Sequence, residues 1–556
     1  MKSPSPNQPS TDRPSTDRPS TDRPSTDRPS ADRADEVADT RQLLAEVEAR
    51  RASVMDDARP RAVARQRADG KMTARERIAT LADPGSWREF GALVTAAADT
   101  DVTRDLEAPA DGIVTGLATI DGRPVVITSQ DFTVYGGSSS VIGSLKLARA
   151  VDKAIDAGLP LIRLLEGGGH RIQEGLDARH FASAKGIFNA FTRASGWVPI
   201  VAAMLGPCFA GPTNHAALAD YVVMVRGIAT MGMAGPALVK AGTGEEIDKE
   251  ALGGATLQVD ETGAADLAVD SEAECFAALR RYLSYLPSNA QQAPPVVTCG
   301  DPIDRRDEAL LDLVPANLRK PYDVRKVVGV LADAGRVLEI KPAHARNIVT
   351  AIARMDGRPV GFIANNPLFA AGMMDGNACD KAAHFIAVCD AFGLPLIYLI
   401  DVPGFAIGSG AERSRMPRRS AKLIHELGNA SVPRLSVVLR KGYGLAYVAM
   451  CGGRGFGADA CFAWPTAQIC AMSVEGAVDI AYRKEIQAAA DPAARRAELI
   501  EDFKDRLGAL RAAEHFGIDD IIDPRDTRRL IIETLRVTPP RRRLDLPPKF
   551  RSIAPI

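Results

Sequence analysis

Two short segments end strongly apolar runs in glycine-containing turns, and their residue types suit chemistry done by the backbone. The first, Glu166-Gly167-Gly168-Gly169-His170-Arg171, follows Leu161–Leu165; the second, Asp401-Val402-Pro403-Gly404-Phe405, follows Leu396–Ile400. Each reads as the end of a buried strand that turns into a helical stretch, which leaves backbone N–H groups unpaired and directed outward. A glycine there admits a substrate to those groups without a Cβ in the way, at a cost in backbone entropy. The chemistry that uses such donors is stabilisation of a developing oxyanion, where one donor is worth about 3 kcal/mol. A tight turn with no ligand gives the same pattern, so one glycine turn standing alone is not specific. His170 has two readings: a titratable group acting on a carboxylate or an enolate, or a ring that packs and hydrogen-bonds at the turn. The other histidines (His180, His215, His344, His384, His425, His515) show no ligand spacing, and no triad or carboxylate pair stands out. No metal is expected.

The elements that must position these turns are given by an internal repeat. Asp121-Gly122-Arg123-Pro124-Val125 recurs as Asp356-Gly357-Arg358-Pro359-Val360, an offset of 356 − 121 = 235. Gly158-Leu159-Pro160-Leu161-Ile162 recurs at the same offset from Gly393, and Val198-Pro199 recurs one residue short of it at Val432-Pro433. The chain is a duplication. Each half predicts a strand, a D-G-R turn and a second strand (Val125–Thr128; Val360–Ala364). A helix follows (Gly143–Ala157; Ala378–Phe392), then a buried strand (Leu161–Leu165; Leu396–Ile400) and the glycine turn. Strands alternating with helices imply α/β units with helices packed on sheets.

Around this duplication the composition shifts. Residues 9–33 repeat PSTDR four times and then PSADR, with nothing to bury, and residues 1–36 read as a disordered tail. Residues 37–80 are rich in Ala, Arg, Glu and Leu and predict helix, interrupted at Pro60 and at Gly70-Lys71. The folded halves are placed at 81–290 and 303–556, joined by a polar, proline-rich linker at 291–302. A formal net charge of −1 gives no electrostatic case for nucleic acid or an anionic membrane. Arg226 interrupts the most apolar stretch, Tyr221–Val239, no signal-peptide region opens the chain, and eight cysteines form no C-x-x-C pair. Reduced thiols in a cytoplasmic protein are the expectation.

Several longer motifs carry a resemblance. Gly70–Ile78 (G-K-M-T-A-R-E-R-I), Gln130–Ser138 (Q-D-F-T-V-Y-G-G-S), Gly168–Gly175 (G-G-H-R-I-Q-E-G), Thr243–Glu246 (T-G-E-E), Leu283–Pro287 (L-S-Y-L-P) and Asp401–Phe405 (D-V-P-G-F) resemble the carboxyltransferase β-subunits of propionyl-CoA and acetyl-CoA carboxylases. So do Arg346–Thr350, Asp380–Phe385 and Ala463–Ala467, in order over about Gly70 to Pro548. The resemblance implies two tandem crotonase-like domains, in agreement with the duplication. It also implies transfer of a carboxyl group from carboxybiotin to the α-carbon of a short-chain acyl-CoA thioester. Two oxyanions then need holding, the ureido oxygen of biotin and the enolate oxygen of the thioester, and backbone amides suffice. One hole corresponds to the amides of Gly168 and Gly169. The other lies in Lys441-Gly442-Tyr443-Gly444-Leu445-Ala446-Tyr447, similar to the family's K-A-Y-G-G-A-Y, with the amides of Leu445 and Ala446 as donors. The same carry-over sets Gly136, Gly137, Arg171, Gly404, Phe405, Gly444 and Val448 around CoA or biotin. Val448 either lines an acyl pocket suited to a short aliphatic chain or belongs to the core.

The resemblance implies biotin on a separate carrier and CoA thioester as substrate. It implies a biotin carboxylase and biotin carboxyl carrier as partners, and a dimer-based homohexamer. The chain carries neither a glycine-rich ATP module nor an A-M-K-M biotinylation site, which fits a subunit that depends on them. It departs from the family at the turns. D-S-G-G-A-R is here Glu166–Arg171, and the second glycine of G-G-A-Y is Leu445, which a positive φ would strain. G-P-C-A-G-G-A is Gly206–Pro212. The family's Q-E-Y-G-G-I-I-R-H-G-A-K is Ala411–Lys422, with Met416-Pro417 and arginines 413, 415, 418 and 419. That basic cluster attracts a CoA phosphate or an acidic partner, or is a solvated loop. Two other readings remain beside the carboxyltransferase: a biotin-independent malonyl- or methylmalonyl-CoA-type decarboxylase using the same enolate hole, and a non-catalytic partner subunit.

Overall fold

Helix capping and strand pairing follow the repeat closely. The computed structural model describes residues 31–97, 103–138, 140–178, 182, 186–504, 506–541 and 553, with the side chains of 31–38 left aside. Contacts divide the chain into residues 1–53 and 54–556. In the first unit a helix, Ala31–Ser53, begins inside the last repeat unit, where Ala31 replaces the threonine of the earlier units; alanine is the better helix former. The helical boundary is therefore 31 rather than 37, and the expectation for residues 1–30 falls outside the described residues. In the second unit, helices Pro60–Ala68 and Ala74–Leu81 are parted at Gly70-Lys71, the interruption expected there. Pro60 opens the former at a position where its missing N–H is harmless, and Thr73 and Glu76 form a capping box on the latter.

Two eight-stranded sheets follow with the same topology. The first runs β1 (Arg88–Phe90), β2 (Ile113–Ile120), β3 (Arg123–Gln130), β4 (Leu161–Gly167), β5 (Ile200–Phe209), β6 (Tyr221–Val225) and β8 (Leu267–Val269), with β7 (Thr230–Gly232) on β5. The second runs β9 (Val337–Ile340), β10 (Ile348–Met355), β11 (Arg358–Asn365), β12 (Leu396–Val402), β13 (Arg434–Tyr443), β14 (Ala460–Ala463) and β16 (Asp520–Ile521), with β15 (Gln468–Cys470) on β13. Each opens as an antiparallel meander and continues parallel. The D-G-R turns are two-residue hairpins with both central residues left-handed: Asp121 at φ 51 and Gly122 at 76, Asp356 at 53 and Gly357 at 73. Helices Val141–Ala157 and Gly376–Ala391 are N-capped by Ser140 and Asp375, again 235 positions apart, so each starts two residues before its expected start.

The halves share one hydrophobic core. Val114, Ile127 and Leu164 of the first sheet and Ile352, Tyr398 and Val438 of the second fall in a single buried cluster. Each sheet also has its own: Leu161, Leu165 and Phe191 in the first, Phe362, Ile397 and Trp464 in the second. The segment 291–302 lacks helix and strand, as its prolines dictate, yet it is not a loose linker. Arg354 donates to Pro295 O at 2.7 Å, and the Val297 amide donates to Gly357 O at 3.1 Å. A Cβ on Gly357 would overlap Val297 O, so glycine is needed there for the linker to pack against the hairpin.

Candidate active site

Both glycine turns sit where a parallel strand breaks register with its neighbour. β4 pairs with β5 through Leu165↔Met204 and resumes at Gly167↔Cys208, so Glu166 faces the three residues Leu205-Gly206-Pro207. β12 and β13 repeat this, with Asp401 opposite Leu439-Arg440-Lys441. Such irregularities re-aim the strand end. At each break the acidic residue is fully buried and pinned. Asp401 accepts from Arg440 Nε at 2.7 Å, Lys441 Nζ at 3.2 Å and Tyr322 OH at 3.0 Å. Glu166 has no such partners on β5. A Cβ at Gly206 would overlap its carboxylate, and its cations come from the N-terminal helices and the turn between them: Lys71 Nζ at 2.7 Å, Arg77 Nη1 at 2.6 Å, with Gln66 Nε2 at 2.7 Å. The same burial problem is solved from the neighbouring strand in one half and from outside the repeat in the other. Sequence reading assigned Glu166 and Asp401 no role; their 235-residue separation was the available signal.

The strand ends are braced by a second matched pair. Gln130 accepts the Glu166 amide and donates to Gly137 O at 3.1 Å; Asn365 accepts the Asp401 amide and donates to Gly372 O. Tyr135-Gly136-Gly137 and Ala370-Ala371-Gly372 are single turns with positive φ throughout. Gly137 packs so tightly on Glu166 O that a Cβ would overlap it. The Gly168 amide donates to Gly136 O at 3.1 Å, while the Gly169 amide has no acceptor among the described residues. A methyl on Gly168 would meet nothing within 4 Å; one on Gly169 would lie 3.1 Å from Ala210 Cβ.

Gly169 thus touches the turn after β5. There Ala210, at φ 59 and ψ −122, N-caps the short helix Gly211–Ala217. This is a glycine conformation occupied by alanine, a strain of about 1–3 kcal/mol. In the second half the equivalent residue is Gly444, φ 64, opening helix Gly444–Ala449. The positive φ therefore falls on Gly444, and Leu445 is unstrained, 57% exposed. Leu445 and Ala446 stand in the first turn of that helix, where N–H groups have no acceptor four residues back. Gly404 takes φ 141 in open space, and Phe405 bridges Met374. Val448 is half-buried, placed so that a Cβ on Gly455 would approach it to 3.3 Å.

The remaining predicted residues divide. The His170 ring lies against Gly175, where a Cβ would come within 2.8 Å of Cδ2. Arg171 is buried: its Nη1 donates to Asp111 at 2.7 Å and to Glu174 at 3.0 Å, and it lies over the Tyr135 ring. It braces the turn from inside. Of the basic cluster, Arg413, Arg415 and Arg418 are exposed while Arg419 is bound to Asp380 at 2.6 Å. Met416-Pro417 opens helix Met416–Asn429, where proline is tolerated, after Arg415 in the left-handed region at φ 60. Large apolar side chains stand exposed beside both turns: Ile172 and Leu176 at the first, Ile407 and Leu445 at the second. Among the described residues no helix is long and apolar enough to cross a membrane.

Known proteins resemble this chain in sequence and in fold. The sequence profile of the carboxyl transferase domain matches residues 65–553. The chain is 40% identical to a propionyl-CoA carboxylase carboxyltransferase subunit of Haloferax mediterranei over 482 residues, 86% of this chain and 93% of that protein. It is 39% identical to the methylmalonyl-CoA decarboxylase subunit alpha of Veillonella parvula over 88% of this chain and 94% of that one. A crystal structure of transcarboxylase 12S, described as a hexamer with methylmalonyl-CoA and methylmalonic acid bound, superposes with a TM-score of 0.85 at 39% identity, covering 94% of this chain and 98% of that one.

Proposed function

This chain belongs to the carboxyl transferase family, with two crotonase-like domains, and within that family we propose that it is the carboxyltransferase subunit of a biotin-dependent acyl-CoA carboxylase acting on a short-chain acyl-CoA. The observation that carries the reading is the pair of matched turns at the ends of β4 and β12. They are open above Gly168 and Gly404, with a donor amide at Gly169 in the first turn and further donors at Leu445 and Ala446 in the helix that follows β13. Biotin on a separate carrier supplies the carboxyl group. The turn at Gly168-Gly169 holds the thioester oxygen as negative charge develops on it, and the helix start at Leu445-Ala446 holds the ureido oxygen. The ureido nitrogen that gives up the carboxyl group would take the α-proton, so with both developing charges on preorganised amides the chain needs no side-chain acid or base of its own, which agrees with Arg171, Glu166 and Asp401 all being spent on internal pairs. The Gly168 amide leaves Gly136 O on engaging substrate, or Gly169 supplies the donor alone. The exposed Ile172, Leu176, Ile407 and Leu445 are where a second copy would close the site, in keeping with a homo-oligomer. A biotin carboxylase and carrier complete the cycle.

A decarboxylase is the competing reading, favoured by the 39% identity to a methylmalonyl-CoA decarboxylase subunit, and one in which His170 supplies the quenching proton would work without biotin. The deciding measurement uses the purified chain with methylmalonyl-CoA, following loss of the carboxyl group with and without free biotin or a biotinylated carrier. Loss that requires biotin is expected. Loss without biotin that disappears in His170→Ala would overturn the carboxyltransferase reading in favour of the decarboxylase.

A further inference from the structure

We propose that Arg163, His215 and Ser138 form a binding site for a small monoanion, of the size of chloride, formate or bicarbonate, behind the first glycine turn. Arg163 lies in the middle of β4, on the face that carries Leu161 and Leu165 into the core, and is 1% exposed. A guanidinium at such a position is expected to meet a carboxylate. Among the described residues it meets none. Its Nη1 donates to Thr128 Oγ1 at 3.0 Å, its Nη2 to His215 Nδ1 at 3.2 Å, and its plane stands over the Phe191 ring. Burial lowers its pKa to about 9, which leaves it cationic at neutral pH.

The hydrogen bond to His215 fixes that ring's chemistry. A guanidinium only donates, so Nδ1 accepts and the ring proton resides on Nε2. Burial and the adjacent guanidinium hold His215 well below its ordinary pKa, and Phe188 and Phe191 flank the ring with centroids at 5.0 Å. Arg163 Nε, His215 Nε2 and Ser138 Oγ are all buried and make no hydrogen bond among the described residues. Two of the three are N–H donors, the third is a hydroxyl that can donate, and one of them carries a positive charge.

These side chains line one cavity of about 30 Å³, with Gly112, Gly143 and Ser144 completing part of its wall. One water needs roughly 10–15 Å³ of such space, so a halide or a three- to four-atom monoanion fits. Asp111 also borders the cavity, but its carboxylate is occupied by Arg171 at 2.7 Å and the Gly143 amide at 2.7 Å. A bound anion would supply the missing counter-charge and accept from the orphaned donors.

The test is thermal unfolding of the full-length protein at constant ionic strength, with gluconate progressively replaced by chloride, formate or bicarbonate, and sulfate as a control for size. Tm is expected to rise and saturate with the three small anions and not with sulfate, and the rise is expected to vanish in Arg163→Met. Should that variant not fold, Ser138→Ala is expected to raise the apparent Kd roughly fivefold through loss of one hydrogen bond, and bromide soaked into wild-type crystals should give an anomalous peak at Arg163 Nε. A flat wild-type response, with ordered water filling the cavity, overturns the proposal. So does an unchanged response in Arg163→Met or in Ser138→Ala, or a bromide map without density at Arg163.

Discussion

Gly137 and Gly168 lie on touching turns, and one added methyl group separates what each does. At Gly137, φ 63, a Cβ would overlap Glu166 O, backbone that cannot yield. At Gly168 φ is not positive and the space beyond is open. Gly137→Ala is expected to lower unfolding free energy by about 3 kcal/mol or more, through strain and overlap together. Gly168→Ala is expected to stay within roughly 0.5 kcal/mol of the parent, while its methyl group, standing between the substrate oxygen and the donor amides, lowers kcat/KM for carboxyl transfer by up to the roughly two orders of magnitude that loss of one donor costs. Chemical denaturation and initial rates on the same preparations check both. Equal losses of stability and activity in Gly168→Ala would show the glycine to be structural. Sequence reading picked out both glycines by type and could not rank them, because φ is a property of the fold. Leu445 makes the same point in reverse: the positive φ that would have strained it sits one residue earlier, on Gly444, where glycine adopts it freely.

At the scale of elements, the repeat made β3, β4, β11 and β12, the two hairpins and the helices that follow them legible to within two residues. What pins them was not. Asp83 accepts the amides of Asp121 and Gly122, and Asp333 those of Asp356 and Gly357, so each hairpin rests on an acid from outside it. Lys71 and Gln66 reach Glu166 across 95 and 100 residues. Pairings of that kind follow no periodicity, and one sequence carries no sign of them. The two hairpin acids also differ in surroundings. Asp333 is buried and holds the buried Arg528 at 2.7 Å, whereas Asp83 is 27% exposed and lies 3.8 Å from a part-exposed Arg280. Asp333→Ala leaves a guanidinium buried without its partner and is expected to destabilise by about 3–5 kcal/mol. Asp83→Ala, at the matching turn, is expected to be much milder. Equal effects in urea titrations would mean that the hairpin amides, not the ion pair, set the energetics.

At the scale of the molecule, duplication predicts two halves and the structure fuses them over one core, so a group buried deep in either half weighs on the stability of both. Asp220 is such a group. Its Oδ2 accepts the Ile200 amide at 2.8 Å, its Oδ1 has no hydrogen-bond partner among the described residues, and burial above all, with Asp266 nearby, pushes its pKa from 3.8 up to about 8. The folded protein therefore keeps this proton over a range where the unfolded chain has released it. The native state binds more protons between about pH 4 and pH 8, so this residue's contribution to stability falls as pH rises through that window. Asp220→Asn keeps an oxygen for the Ile200 amide and removes the ionisation. The variant is expected to match wild type near pH 4 and to exceed it by a few kcal/mol near pH 8, since each pKa unit is worth about 1.4 kcal/mol. Other groups titrate in the same range, but they are common to both proteins and cancel in the difference. Denaturation curves for the pair at several pH values decide the matter: a gap that opens with rising pH places an uncharged Asp220 in the folded core, and parallel curves would show that its carboxylate is ionised and accommodated throughout.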